Sequence, residues 1–248
     1  MMNKNYTIVI TTFSKRFDLV TNLISQIREV TTNPIILTIN GERNGVLDEE
    51  YRKDILSFCV KFDSIYPVFF TEIRSLSKLW NIGTMNSNLD NVLILNDDIK
   101  ILNNDFFNQC DEILEEDVKM VLFNNSFSHF FVNKIFLDEI GYFDERLLGF
   151  GWEDTDMWMR YKELTGEKIK TINTTSIYNE SSDLIYDDVK TTWGKYSSYN
   201  YEYIKTKYSN PGAERYMCGK KLKDDINPYP TESYFLTNKN LIFNNEDN

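Results

Sequence analysis

The chain has 248 residues, with 27 Lys and Arg against 38 Asp and Glu, a net charge of −11 and a single His. This length suits one large α/β domain with a small appendage and a substantial core, and 42% hydrophobic with 26% charged residues is a globular composition. So acidic a chain repels phosphate backbones and anionic headgroups, which excludes a general nucleic-acid binder. No apolar run exceeds four residues, so no transmembrane segment is expected, and the first residues lack the apolar core of a signal peptide. Cys59, Cys110 and Cys218 are far apart and lack metal-ligand spacing, so they read as reduced thiols of a cytoplasmic protein.

The first predicted strand is Thr7-Ile8-Val9-Ile10, followed by the polar turn Thr11-Thr12. A helix follows, with Val20, Leu23, Ile24 and Ile27 at i, i+3, i+4, i+7 and Ser14 as its candidate N-cap. Pro34 precedes a second strand, Ile35–Ile39, which stops at Asn40-Gly41-Glu42. A helix over 49–60 leads to a third strand near 68–73, then to a helix over 76–86. The strand Val92-Leu93-Ile94-Leu95 ends at Asn96-Asp97-Asp98; Phe106, Cys110, Ile113 and Leu114 mark another helix, and 119–123 another strand. This alternation, with continuous rather than alternating apolar strands, predicts an α/β fold whose mostly parallel sheet is flanked by helices. In such sheets ligands bind beyond the carboxyl ends of the strands, where Thr11-Thr12, Asn40-Gly41-Glu42 and Asn96-Asp97-Asp98 all fall.

The turn after the first strand, Thr11-Thr12-Phe13-Ser14-Lys15-Arg16, contains no glycine, which excludes the Gly-rich dinucleotide and P-loop cradles. Adjacent carboxylates at the end of a buried strand repel each other and call for a compensating cation, such as Mg²⁺ or Mn²⁺ bridging to a diphosphate. The same doublet also reads as a solvated Asx turn. Further on, Gly149-Phe150-Gly151-Trp152 leads into an acidic helix start, Glu153-Asp154-Thr155-Asp156. Asp154 shares its helical face with Met157, Trp158 and Tyr161, whereas Asp156 and Arg160 pair on another face. That spacing points Asp154 toward the core, where burial makes a carboxylate a better general base. Trp152 offers an apolar face to a ligand, or simply packs.

Ile140-Gly141-Tyr142-Phe143-Asp144-Glu145, followed by Gly151-Trp152-Glu153-Asp154-Thr155-Asp156 and Arg160, resembles the signature of GT-A (Rossmann-like) glycosyltransferases of the family 2 type. The 150–154 segment is also similar to the acceptor-side motif of β4-galactosyltransferases and chondroitin-type polymerases. The resemblance spans 6–172. It implies transfer of a sugar, with inversion, from a nucleotide-sugar donor (a UDP-sugar) to a hydroxyl of a glycan or lipid-linked saccharide, in surface polysaccharide or glycan assembly. Thr11, Thr12, Phe13, Asn40, Glu42, Asn81, Asp97 and Asp98 would line the nucleotide site. Asp98 would hold Mn²⁺ or Mg²⁺, Trp152 and Glu153 would meet the acceptor, and Asp154 would be the catalytic base. The family's C-terminal His ligand has no counterpart, since His129 precedes the acidic motif; Arg215, Lys220 or Lys221 could neutralise the diphosphate instead. A retaining GT-A transferase and a non-catalytic GT-A-like partner subunit are the alternatives.

The expected organisation is a catalytic domain over 1–180, with a donor half over 1–100 and an acceptor half over 101–180. An extension over 181–248, packed on the same domain, carries Trp193, Tyr196, Tyr199, Tyr201, Tyr203, Tyr208, Tyr216, Tyr229, Tyr234 and Phe235. Rings so concentrated serve either a packed helical extension, an acceptor lid, a homodimer surface or a contact to a lipid-linked acceptor, and the last would fit peripheral membrane association at the inner face.

Overall fold

The computed structural model describes residues 6–13, 16–43, 46–116, 118–180 and 187–208, the side chains at 42, 43 and 187–195 excepted. In chain order the elements are β1 (Tyr6–Phe13), α1 (Phe17–Val30), β2 (Ile35–Asn40), β3 (Glu42–Arg43), β4 (Val46–Leu47), α2 (Glu49–Cys59), β5 (Ile65–Phe70), α3 (Leu76–Met85), β6 (Asn91–Asn96), β7 (Ile99–Ile101), α4 (Asp105–Glu115), β8 (Met120–Phe123), β9 (Ser126–Asn133), α5 (Lys134–Ile140), α6 (Glu153–Thr165), β10 (Lys170–Ile172), β11 (Ile177–Asn179) and α7 (Asp187–Lys207). Seven strands form one sheet in the order β10-β8-β9-β6-β1-β2-β5, with β9 alone reversed among its neighbours. β7 and β11 pair separately as a small antiparallel ribbon.

The chain divides into two compact units. Of the described residues, one comprises those within 6–74, 79–139 and 170–180; the other comprises 75–78, 140–169 and 187–208. In the first, β1 is buried along its length because both neighbours and both faces are covered. Ile8 and Ile10 join Leu93, Leu95, Val20, Leu23, Ile24, Ile27, Phe106 and Phe107 in one core beneath α1, α2 and α4. The opposite face shows how closely α3 approaches the sheet. A Cβ on Gly83 would lie 2.3 Å from Val9 Cγ1, and Trp80 meets Phe130 edge-on at 5.4 Å. Glycine is required at position 83 for that approach. The third strand begins at Ile65, three residues before the sequence pattern suggested, because Pro67 is tolerated at the edge position β5 occupies.

In the second unit, α6 is wrapped on nearly all sides: Glu153 and every residue from Thr155 to Tyr161 are buried. The covering layer is α7, a 21-residue helix, in keeping with the packed helical extension that was one reading of the aromatic-rich tail. Its Ile204, with Tyr208 just beyond its end, packs with Leu147 and Met159, and its Tyr196 packs on Leu148. Of the aromatic tail, Trp193 lies in α7 with its side chain outside the described residues, as do Tyr216, Tyr229, Tyr234 and Phe235 altogether. Ser14, the expected N-cap of α1, is outside them too; Arg16 occupies the cap position and makes no side-chain cap.

Candidate functional site

β1 and β6 are parallel neighbours, but the chain leaves β1 toward β2 on one side and reaches β6 on the other only after β5. Their carboxyl ends therefore flank a topological switch point, where a crevice opens in this class of sheet. Thr11 and Thr12 of β1 meet Asn96 and Asp97 there. The Thr11 hydroxyl donates to Asn96 Oδ1 at 3.0 Å, and the Thr12 hydroxyl to Asp97 Oδ2 at 2.6 Å. Tyr51 OH lies 3.3 Å from the Thr12 hydroxyl. Arg16, which the sequence reading passed over, donates from Nη1 to Asp97 Oδ1 at 2.7 Å. Its guanidinium carbon stands 4.2 Å over the Phe13 ring, and its Nη1 is 3.7 Å from Asp98 Oδ2.

The two acids are thereby differentiated. Asp97 is satisfied on both oxygens by Thr12 and Arg16. Asp98 is 6% exposed, and its Oδ1 is buried with no hydrogen-bond partner among the described residues. Burial, then the neighbouring Asp97 charge, pushes its pKa up to about 6 against the pull of Arg16. A buried, unpaired carboxylate oxygen is costly unless a ligand completes it. Among the described residues no three His, Cys, Asp or Glu side chains converge as a metal cage. A single carboxylate fits a hard cation such as Mg²⁺ or Mn²⁺, which keeps several waters and takes substrate phosphates as further ligands. Asp98 thus fits the role read for it.

The other residues expected to line the nucleotide separate by environment. Asn40 clamps the chain after β5: its side-chain amide donates to the Arg74 carbonyl and its side-chain carbonyl accepts from the Arg74 N–H, both at 2.9 Å. Asn81 is fully buried in α3, and Phe13 is half-buried. Glu42 sits in β3, with its side chain outside the described residues. His129 pairs with Leu95 across the β6–β9 ladder and is 3% exposed. Its Nδ1 contacts Ser128 Oγ at 2.8 Å, Nε2 has no partner among the described residues, and burial pushes its pKa down to about 4. It is therefore neutral at physiological pH. Cys59 and Cys110 are buried, and burial pushes the Cys59 thiol up to about 11, far from nucleophilic. Arg215, Lys220, Lys221 and Cys218 lie outside the described residues.

In the second unit the acidic motif is organised by α7. Gly149 and Gly151 have φ of +57° and +104°, and Trp152 takes the N-cap position of α6 at φ +77°, where a non-glycine residue is strained. Asn200 of α7, fully buried, holds this turn with three hydrogen bonds: it accepts from the Leu148 N–H and donates to the Leu148 and Gly151 carbonyls, each at 2.8 Å. Trp152 Nε1 reaches Ser197 Oγ at 3.3 Å, and its ring stacks obliquely on Tyr201 at 5.0 Å. One sequence expectation is corrected here. Asp154 is half-buried in the first turn of α6, accepting from the Thr155 N–H at 2.7 Å, while Asp156 is the completely buried acid. The helical-face argument assumed one wet face, and α7 leaves none where Asp156 and Arg160 stand.

Asp156 pairs with Arg160 at 2.9 Å, as the i, i+4 spacing predicted, and also with Lys207 at 2.6 Å and Tyr208 OH at 2.7 Å. Burial would raise its pKa, but Lys207 and Arg160 outweigh that and hold it well below the usual carboxylate range. Lys207, 0% exposed, bridges on to Asp144 at 2.7 Å, which also binds Arg146 through two contacts at 2.7 Å and Tyr203 OH at 2.8 Å. Arg160 fans three further bonds to the carbonyls of Ile140, Gly141 and Tyr142. The two halves of the acidic signature, 140–146 and 153–160, are thus locked together, and the residues from α7 that do it carry no sequence signal of their own.

With this geometry in view, solved structures supply the comparison. A mannosyltransferase from Pyrobaculum calidifontis, in complex with GDP-Man and Mn²⁺, superposes over 79% of this chain with a TM-score of 0.60 at 12% identity. The fold is that of GT-A glycosyltransferases. GalNAc-T7, solved with UDP, GalNAc and Mn²⁺, matches 71% of the chain (TM-score 0.59, 11% identity), and S. aureus TarS 1-349 matches 70% (TM-score 0.55, 12% identity). The chain spans 62%, 44% and 59% of those three chains, less than two thirds of each. No family model matches the sequence, and no curated protein does. No helix among the described residues is long and apolar enough to cross a membrane.

Proposed function

We propose that this protein is a metal-assisted glycosyltransferase that moves a sugar from a nucleoside-diphosphate donor to a carbohydrate hydroxyl, with inversion. The observation that carries the reading is Asp98: a buried carboxylate with an oxygen unpaired among the described residues, at the switch point of a sheet whose similar solved structures carry GDP-Man or UDP together with Mn²⁺. A divalent cation bound there would neutralise diphosphate charge and so improve the leaving group. Asp98 would be its protein ligand, and Asp97 with Thr12 and Arg16 would hold Asp98 in register. Thr11 and Phe13, at the end of β1, flank the nucleoside. On the acceptor side, Asp154 takes the proton of the attacking hydroxyl as the bond to the leaving diphosphate breaks, and Trp152 with Glu153 orients the acceptor. Support for that assignment is the Asn200-held turn, which spends backbone strain at Trp152 to fix the start of α6. Of the two nucleotides seen in the similar structures, UDP and GDP, we favour UDP. The acceptor is a glycan or a lipid-linked saccharide, and the setting is surface polysaccharide or glycan assembly on the cytoplasmic side.

The test is release of nucleoside diphosphate from a panel of UDP- and GDP-sugars, with saccharide acceptors and Mn²⁺, by wild type and Asp154→Asn. The expected outcome is turnover with one donor, reduced by about 10²-fold or more in the variant with donor affinity unchanged, the scale of a lost general base. Turnover within a few-fold of wild type would remove Asp154 from the chemistry and favour a retaining route. No turnover with any donor, but retained donor binding, would favour the non-catalytic partner subunit.

A further inference from the structure

The acid pair at the end of β6 already has a cation, and that cation belongs to the chain. Arg16 is 9% exposed, stacks on Phe13 at 4.2 Å, and lies 2.7 Å from Asp97 and 3.7 Å from Asp98. Its contact with Asp97 is a hydrogen-bonded ion pair, whereas with Asp98 it is only a neighbouring charge. Two carboxylates and one guanidinium sum to −1, so the pair stands half-neutralised before any ligand arrives. A guanidinium cannot lose its proton to relieve a clash with an incoming cation. Any dication bound on Asp98 Oδ1 must therefore sit in the field of a fixed positive charge a few ångströms away.

We propose that Arg16 is a resident counter-ion that sets the metal affinity of this site, so that a divalent cation binds weakly alone and firmly only together with a diphosphate. The proposal rests on the donor-site reading given above. The acid pair can exist without metal because Arg16 offsets half its charge. A metal adds two positive charges beside that of Arg16, and the diphosphate offsets the excess. Metal and nucleotide then bind as a unit, and by linkage each raises the affinity of the other by the same factor. The Asp98 Oδ1, which has no partner among the described residues, is the position left open for the exchange.

The experiment is titration of Mn²⁺ into the full chain, following the electron paramagnetic resonance signal of free Mn²⁺, with and without UDP, for wild type, Arg16→Gln and Arg16→Gln/Asp98→Asn. Arg16→Gln should bind Mn²⁺ alone at least about tenfold more tightly than wild type, from loss of one close charge repulsion in a poorly screened site. The enhancement of Mn²⁺ binding by UDP should shrink in the same variant, and the double variant should lose the gain. Mn²⁺ affinity of Arg16→Gln within twofold of wild type, or weaker, would overturn the proposal. If Arg16→Gln does not fold unaided, millimolar Mn²⁺ should restore its circular dichroism spectrum, because the metal replaces the missing charge; failure to do so would equally overturn it. Tight UDP–Mn²⁺ binding by wild type with no gain in Arg16→Gln would remove the role of Arg16 and leave the donor site standing. A gain in Arg16→Gln without nucleotide binding by any form would keep Arg16 as counter-ion and remove the donor-site reading.

Discussion

The buried charge cluster of the second unit gives a prediction whose direction depends on counting charges. Asp144 and Asp156 face Arg146, Arg160 and Lys207, two negative groups against three positive, and both acids and Lys207 are 0% exposed. Lys207→Met leaves two acids and two arginines, a neutral set in which Asp144 keeps Arg146 and Tyr203, and Asp156 keeps Arg160 and Tyr208. Asp156→Asn instead leaves one acid against three cations. Among the described residues, Lys207 then keeps only Asp144 as a counter-ion, and Arg160 keeps its three backbone carbonyls with no carboxylate paired to it directly. Removing one partner of a buried pair typically costs about 3–5 kcal/mol when a buried charge is left uncompensated. That figure applies to Asp156→Asn. Lys207→Met also removes the desolvation cost of a buried ammonium, so its loss should be about 1–3 kcal/mol, the range for lost buried hydrogen bonds. For a chain of this length the Asp156→Asn loss corresponds to a fall in Tm of roughly 6–20 °C. Urea midpoints and thermal melts of the two variants test the order. If Lys207→Met proved as damaging as Asp156→Asn, charge imbalance would not be what the cluster is built around.

Other outcomes follow from the same structure. Because the Asp98 pKa is raised to about 6, its carboxyl stays protonated in the fold where the unfolded chain, at 3.8, has ionised; the stability this brings is full below about pH 4 and is lost as pH rises through 6. Asp98→Asn should therefore stabilise the fold at pH 8 by up to about 3 kcal/mol of relieved desolvation, read as a higher melting temperature, while abolishing metal-assisted nucleotide binding; a destabilised Asp98→Asn would contradict the unpaired-oxygen reading. Metal-assisted nucleotide binding by wild type should weaken below pH 6 by up to about tenfold per unit, since the protonated acid is no ligand, and calorimetry at pH 5 and pH 7 checks it. Gly83→Ala places a methyl 2.3 Å from Val9 Cγ1, and Gly149→Ala places one 2.2 Å from Tyr196 Cδ2 at φ +57°. Each should cost about 1–3 kcal/mol in urea melts, and a neutral Gly83→Ala would mean that α3 does not seat so tightly on β1.

How much of this the sequence contains varies by element. Ile8–Ile10, Ile35–Ile39 and Val92–Leu95 announce buried parallel strands through their continuous apolar runs, and the polar residues closing them mark the ligand edge. The pairing of Thr12 with Asp97 follows from β1 and β6 lying side by side, which strand periodicity does not encode. Arg16 was hidden because a basic residue beside a helix start looks like surface. Its role appears only when residues 81 positions apart are brought to 2.7 Å. β9 escaped because Ser126-Phe127-Ser128-His129 breaks its apolar run, and antiparallel insertion into the sheet is a tertiary choice. A packed helical extension was one reading of the tail, but the inward face of α7 was not legible, because its buried residues include Asn200 and Lys207, polar groups whose burial is sustained by Leu148, Gly151, Asp144 and Asp156 far away in sequence. The unread inward face of that helix is why the spacing argument assigned the buried face of α6 to Asp154 rather than to Asp156.

The most direct test of the central claim is calorimetric titration of UDP and of GDP into wild type and Asp98→Asn, each with and without Mn²⁺. The account predicts binding of one nucleotide to wild type that strengthens at least about tenfold with Mn²⁺, and no such strengthening in Asp98→Asn. Absence of binding by wild type, or an equal Mn²⁺ effect in Asp98→Asn, would contradict the assignment of this strand end as the donor site.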